Sequence, residues 1–156
     1  MAKSNPSKDI KELMKTLEKA KEELLDTIQD VGDEAANLIR KRTRLGYGVA
    51  EKGASKHKLT ALNEKYAKRR KHLINTSLTT PKRSNLTQTG EMLDSLTAVK
   101  KSDDTVEITF SSEEAMDKAT WNTDKGRPFN NLSRSEIRQL KQSIQTKLDK
   151  ILKKIT

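Results

Sequence analysis

From Asp9 to Arg44 the apolar residues recur with a helical period. Ile10, Met14, Leu17, Leu24, Ile28, Val31, Ala35 and Leu38 follow alternating three- and four-residue steps, with Lys21 in the one polar slot. That spacing is a heptad seam. Leu13, Ala20, Leu25 and Ile39 widen it into a stripe suited to packing on a domain or on another subunit. Ser7 or Asp9 can cap the start. Gly32 weakens the middle by roughly 1 kcal/mol relative to Ala and is a candidate bend. The final segment repeats the pattern. Ser133 and Glu136 form a capping box, and Ile137, Leu140, Ile144, Leu148, Ile151 and Ile155 lie on one face of the helix that follows.

Between these helices the period changes. Gly46, Gly48 and Gly53 break the chain and predict a loop over 45–60. Asn63 to Leu73 reads as a short basic helix, and Ser77 to Ser84, around Pro81, as a polar loop. Thr87 or Thr89 can cap a short helix ending near Leu96. Val106, Ile108 and Phe110 alternate with Glu107 and Thr109. With Thr97 and Val99 they predict a hairpin turning at Ser102-Asp103-Asp104. Two strands alone are marginal in water, so a third is expected near 127–131 or from another subunit. Ser111 and Glu114 predict a further capped helix to about Trp121.

The fold class expected is α+β. Long N- and C-terminal amphipathic helices pack on a small antiparallel sheet, with short additional helices. The chain reads as one domain over 1–156: a flexible start (1–8), a long helix (9–44), a compact body with mobile loops (45–132) and a C-terminal helix (133–156). All five aromatics (Tyr47, Tyr66, Phe110, Trp121 and Phe129) fall in that body. Leu, Ile, Val and Phe make up only about a fifth of the chain, a small core that neighbouring subunits could complete.

Charge narrows the function. The net charge is +10, and the segment 40–72 carries an excess of the same size. Arg40, Lys41, Arg42, Arg44, Lys65, Lys68, Arg69, Arg70 and Lys71 are therefore candidates to face DNA or a DNA channel. Few aromatics lie beside them, which favours non-specific duplex contact over single-strand stacking. The glycine loop lacks the Gly-Lys-Ser/Thr ending of a phosphate cradle. There is no cysteine, and His57 and His72 both sit among cations. No metal, cofactor or catalytic residue is expected, and the chain does not read as an enzyme. Asp103-Asp104 and Glu113-Glu114 suit a turn and a helix start rather than an acid/base pair. No apolar run suits a membrane span, and the start lacks a signal-peptide pattern.

A series of short motifs adds a family. Leu45-Gly46-Tyr47-Gly48-Val49 is followed by the Tyr66-x-x-x-Arg70 helix. Then come Leu86-x-x-Thr89-Gly90-x-x-Leu93-x-Ser95-Leu96 and Arg127-Pro128-Phe129-x-x-Leu132-Ser133. In this order and spacing, over roughly residues 30–150, the chain resembles the virion-morphogenesis, or tail-completion, proteins of tailed bacteriophages. Asn130-Asn131 stands where that family often has Leu-Gly. The resemblance implies a structural neck protein, a tail terminator or head–tail connector, forming a ring of about six or twelve subunits around the DNA channel. It implies other neck, connector or tail-tube proteins as partners, genomic duplex DNA in non-specific contact, and a place in the virion after assembly in the host cytoplasm. Thr89, Gly90, Leu93, Arg127 and Phe129 are then the assembly or fold motif: Thr89 as a cap, Gly90 for close approach, Phe129 as a core anchor, Arg127 to meet an acid on a neighbour. The alternative is a non-specific double-stranded DNA-binding protein.

Overall fold

The computed structural model describes residues 6–73, 86 and 90–155. It is α+β, as the pattern predicts. Helix α1 (Pro6–Arg44) leads into a minimal hairpin of β1 (Tyr47–Gly48) and β2 (His57–Lys58). Helix α2 (Glu64–Leu73) and the single turn α3 (Glu91–Asp94) precede the main hairpin, β3 (Leu96–Ser102) and β4 (Thr105–Phe110). Helices α4 (Glu113–Asp124) and α5 (Arg134–Ile155) end the described chain.

Helix α5 runs antiparallel to α1. The polar bridges between them step evenly in opposite directions: Arg42 to Glu136, Glu34 to Ser143 (2.7 Å), Asp30 to Lys147 (3.2 Å) and Glu23 to Lys154 (2.7 Å). At that register α5 ends level with about Glu22, so the first turns of α1 project beyond it by roughly 24 Å at 1.5 Å per residue.

The main hairpin lies across the middle of α1. Gly32 marks the crossing: a Cβ there would sit 2.4 Å from Val106 Cγ1 and 2.9 Å from Ala98 Cβ. The glycine predicted as a bend is thus a contact point inside an unbroken helix. Gln29 fastens the crossing by donating to the Ala98 carbonyl at 3.0 Å. This packing also corrects the expectation of a third strand near 127–131. Among the described residues β3 and β4 form a two-stranded sheet, and a helix, not a strand, supports it. Residues 127–131 pass by the other hairpin, where Val49 N–H donates to the Pro128 carbonyl at 3.1 Å. Gly48 is needed for that approach, since a Cβ would lie 2.2 Å from the same carbonyl oxygen.

The core sits where α1, α3, β3 and α4 converge. Ile39, Leu93, Leu96 and Phe129 are sealed from solvent, with Ala36, Met92, Ala115 and Ala119 around them. Phe110 meets Phe129 edge-on, with centroids 6.3 Å apart. Two helix starts differ from expectation by one residue or by mechanism. Ser112, not Ser111, caps α4 and accepts from Ala115 N–H at 3.2 Å. Gly90 caps α3 in the left-handed region (φ +91°) with no side-chain bond, and Leu96 already begins β3, which limits α3 to one turn. Thr87, Thr89 and the 77–84 loop lie outside the described residues.

Candidate assembly and nucleic-acid surfaces

The positive segment divides into a structural part and a free part. Arg42 is a correction to the set of DNA-facing candidates: only 4 % of it is exposed. It falls in phase with Ala35 and Ile39, so the core stripe of α1 carries it inward. One guanidinium nitrogen donates to Glu136 Oε2 at 2.5 Å and another to the Phe129 carbonyl. Glu136 in turn accepts from Ser133 N–H at 2.8 Å, and Glu136 N–H donates to Ser133 Oγ at 3.3 Å. The capping box read from sequence is present, and its carboxylate also neutralises a buried arginine. Burial pushes the Arg42 guanidinium below its ordinary value, and Glu136 opposes that shift through charge and hydrogen bonding. Such a pair fixes the mutual position of α1, α5 and the stretch of coil over 129–133.

Arg40 and Arg44 are also engaged. Arg40 donates to Asn37 Oδ1 (2.5 Å) and to the Leu96 carbonyl (2.6 Å), and Arg44 pairs with Asp94. These bonds tie the end of α1 to α3 and β3. Lys41 is exposed.

Helix α2 keeps its cations. Asn63 Oδ1 accepts from Lys65 N–H at 3.0 Å near the helix start. Lys65, Lys68 and Arg69 are exposed and have no ion-pair partner among the described residues. No extensive packing of α2 on another element is seen among those residues. Arg70 and Lys71 lie in the same helix, and their side chains are outside the described set. Among the described residues Lys65, Lys68 and Arg69 thus have no ion-pair partner, while Arg40, Arg42 and Arg44 of α1 hold the fold.

The motif residues separate in the same way. Leu93 and Phe129 are core, each with no measurable exposure. Gly90 supplies a positive φ, and the atom that a Cβ there would crowd, at 3.1 Å, is the side-chain tip of Asp94 rather than backbone. Arg127 is half-buried, with Nε lacking a hydrogen-bond partner and no ion pair among the described residues.

Among the described residues, the projecting part of α1 is a surface that periodicity marked and the fold leaves open. Ile10, Leu13, Met14 and Leu17 are 50–59 % exposed, and Leu24 is 38 % exposed. At its root, Thr16, Lys19, Ala20 and Glu23 face Ile151, Lys154 and Ile155 across a groove. Among the described residues no group of His, Cys, Asp or Glu could hold a metal ion, and no helix is long and apolar enough to cross a membrane.

No protein-family model, curated protein or solved structure matches this chain.

Proposed function

We propose that this protein is a structural assembly component of a tailed-phage neck, a ring-forming tail-completion or head–tail joining protein around the DNA channel. The observation that carries the reading is the apolar stripe on the projecting end of α1. A helix whose seam continues for about three turns beyond its own domain stabilises little until another subunit covers it. The order of the Gly-Tyr-Gly, Thr-Gly and Arg-Pro-Phe motifs supplies the phage context. Arg127, half-buried and without an acidic partner among the described residues, suits a carboxylate on a neighbour. The test is co-assembly: the purified chain is mixed with neck and tail-tube proteins and followed by light scattering and negative-stain imaging. Closed rings or capped tubes are expected. A chain that joins no such particle at any concentration would overturn the proposal.

A second reading rests on α2. Lys65, Lys68 and Arg69, exposed and without an ion-pair partner among the described residues, suit non-specific contact with duplex phosphates. Replacing all three by Ala should lower the slope of log affinity against log salt by about 1 for each phosphate that the variant no longer neutralises. An unchanged slope would exclude α2 from the DNA-binding surface.

A further inference from the structure

We propose that the projecting end of α1 pairs with the same segment of a second copy, antiparallel, about a two-fold axis between Thr16 and Leu17. The inference deepens the assembly reading above and rests on its premise that the stripe is covered by a subunit.

Charge selects the occupant. Between residues 10 and 23 the sequence has Lys11, Lys15, Lys19 and Lys21 against Glu12, Glu18, Glu22 and Glu23. The segment is neutral within a chain of net charge +10. It therefore has no bias toward nucleic acid or toward a strongly acidic protein, and it does not repel a copy of itself. The distribution also selects the orientation. In the antiparallel arrangement the choice of axis sets Leu17 level with Thr16 of the other copy, and every other level follows from it. Lys11 then lies level with Glu22 and Lys15 with Glu18, each pair occurring twice by symmetry. A parallel pair would set every one of these charges level with itself. At about 100° per residue Lys11 and Glu22 fall on one flank of the Ile10–Met14–Leu17–Leu24 stripe, the flank that faces its own counterpart in an antiparallel pair. Glu23 is already matched within the chain by Lys154 at 2.7 Å.

The size of the stripe sets the strength. Its five large side chains, each half covered already, would bury about 400 Å² of apolar surface per copy, below the roughly 800 Å² per partner of a stable interface. The pair should be reversible and concentration-dependent, and strengthened when a second interface holds copies together. An isologous contact closes after two copies. A ring then needs another surface, and the two interfaces are separable by experiment.

The chain contains no cysteine, so single-cysteine variants of the full chain report the pairing directly. Leu17→Cys chains, close to the axis, should form a disulfide-linked dimer under mild oxidation. Ile10→Cys and Leu24→Cys chains should each remain uncrosslinked alone and should crosslink when mixed. Equal self-crosslinking of all three would overturn the antiparallel arrangement in favour of a parallel one, and no crosslinking of any would overturn the pairing. Sedimentation equilibrium of charge variants gives an independent check. Lys11→Glu and Glu22→Lys should each weaken the dimer several-fold, and the double exchange should restore it. A double variant no tighter than either single would overturn the register. Crosslinked dimers that never enter a particle with neck proteins would leave the pairing standing and overturn the neck reading alone.

Discussion

The two ends of α1 carry the same apolar rhythm and meet opposite fates. Toward the C-terminus, Ala36 and Ile39 are sealed beneath β3, α3 and α4, with 1 % and 0 % exposure. Toward the N-terminus, Ile10 and Leu17 stand at 59 % and 50 %. Nothing in local spacing separates them. The difference lies in length: α5 and the main hairpin cover α1 only as far as their own residues reach, and α1 continues past both. An amphipathic stripe thus states that a face is to be covered, and the lengths of the other elements decide whether the same chain covers it.

The strongest way to test this contrast is to damage each end in turn. Arg42→Ala should be the most destabilising single change, at about 3–5 kcal/mol, because it leaves Glu136 buried with only the longer ion pair to Lys56 at 3.9 Å. Urea unfolding measures it, and Arg42→Met combined with Glu136→Leu should recover much of the loss. Ile39→Ala, about one turn earlier, should cost about 2–5 kcal/mol through reduced burial and the cavity left behind. At the other end, Leu13→Ser in dilute solution should change stability by no more than about 0.5 kcal/mol. The same substitution should remove any dependence of the melting temperature on protein concentration. A large intrinsic loss from Leu13→Ser would show that the projecting end is packed within its own chain, and the contrast would fail.

A smaller effect probes the boundary between the two ends. Gly32→Ala places a methyl group 2.4 Å from Val106 Cγ1, which must move for the hairpin to stay seated. Overpacking of this kind costs about 1–3 kcal/mol, and the better helix propensity of Ala returns roughly 1 kcal/mol. The net loss should be modest and confined to the hairpin, visible as faster amide exchange in β3 and β4 but not in α5. Unchanged exchange in both strands would mean that the hairpin is not held by the crossing at Gly32.

How far the sequence could be read follows from which residues answer to local rules. The long helices, the main hairpin and the Ser133–Glu136 cap were legible because periodicity and capping are local. The sites of glycines were legible as breaks, but their reasons were not. Gly32 and Gly48 are required by atoms of Val106 and the Pro128 carbonyl, many residues away. The candidate DNA-facing residues were the least legible. A charge count treats Arg42 and Lys41 alike, whereas the helical phase that buries Ala35 and Ile39 buries Arg42 too and leaves Lys41 outside. That phase was present in the sequence and would have separated them. No comparable signal existed for Arg40 and Arg44, whose partners, the Leu96 carbonyl and Asp94, come from a distant segment.

Acid gives the smallest expected effect and sharpens the contrast by leaving α1 largely out of it. Two exposed carboxylates sit below their ordinary values. Asp104, at the turn of the main hairpin, accepts from the hydroxyls of Ser102 and Thr105, and Glu114 of α4 is hydrogen-bonded and paired with Lys118. A carboxyl depressed in the folded state contributes stability that is present above its unfolded value and lost as pH falls through the folded one. For Glu114 the loss begins below 4.5 and for Asp104 below 3.8. Arg42 is depressed as well, by burial, but a guanidinium stays charged throughout the range of about pH 5 to 9, so its own titration leaves that range untouched. Through that range Asp104, Glu114 and Arg42 should add no slope to stability followed against pH, and the two carboxylates should give a decline at the acid edge. Glu114→Gln should flatten that decline slightly while leaving the neutral plateau and the dimerisation of the projecting helix in place. A Glu114→Gln chain with the full acid decline would assign the loss to Asp104 at the hairpin turn instead, and Asp104→Asn should then flatten it.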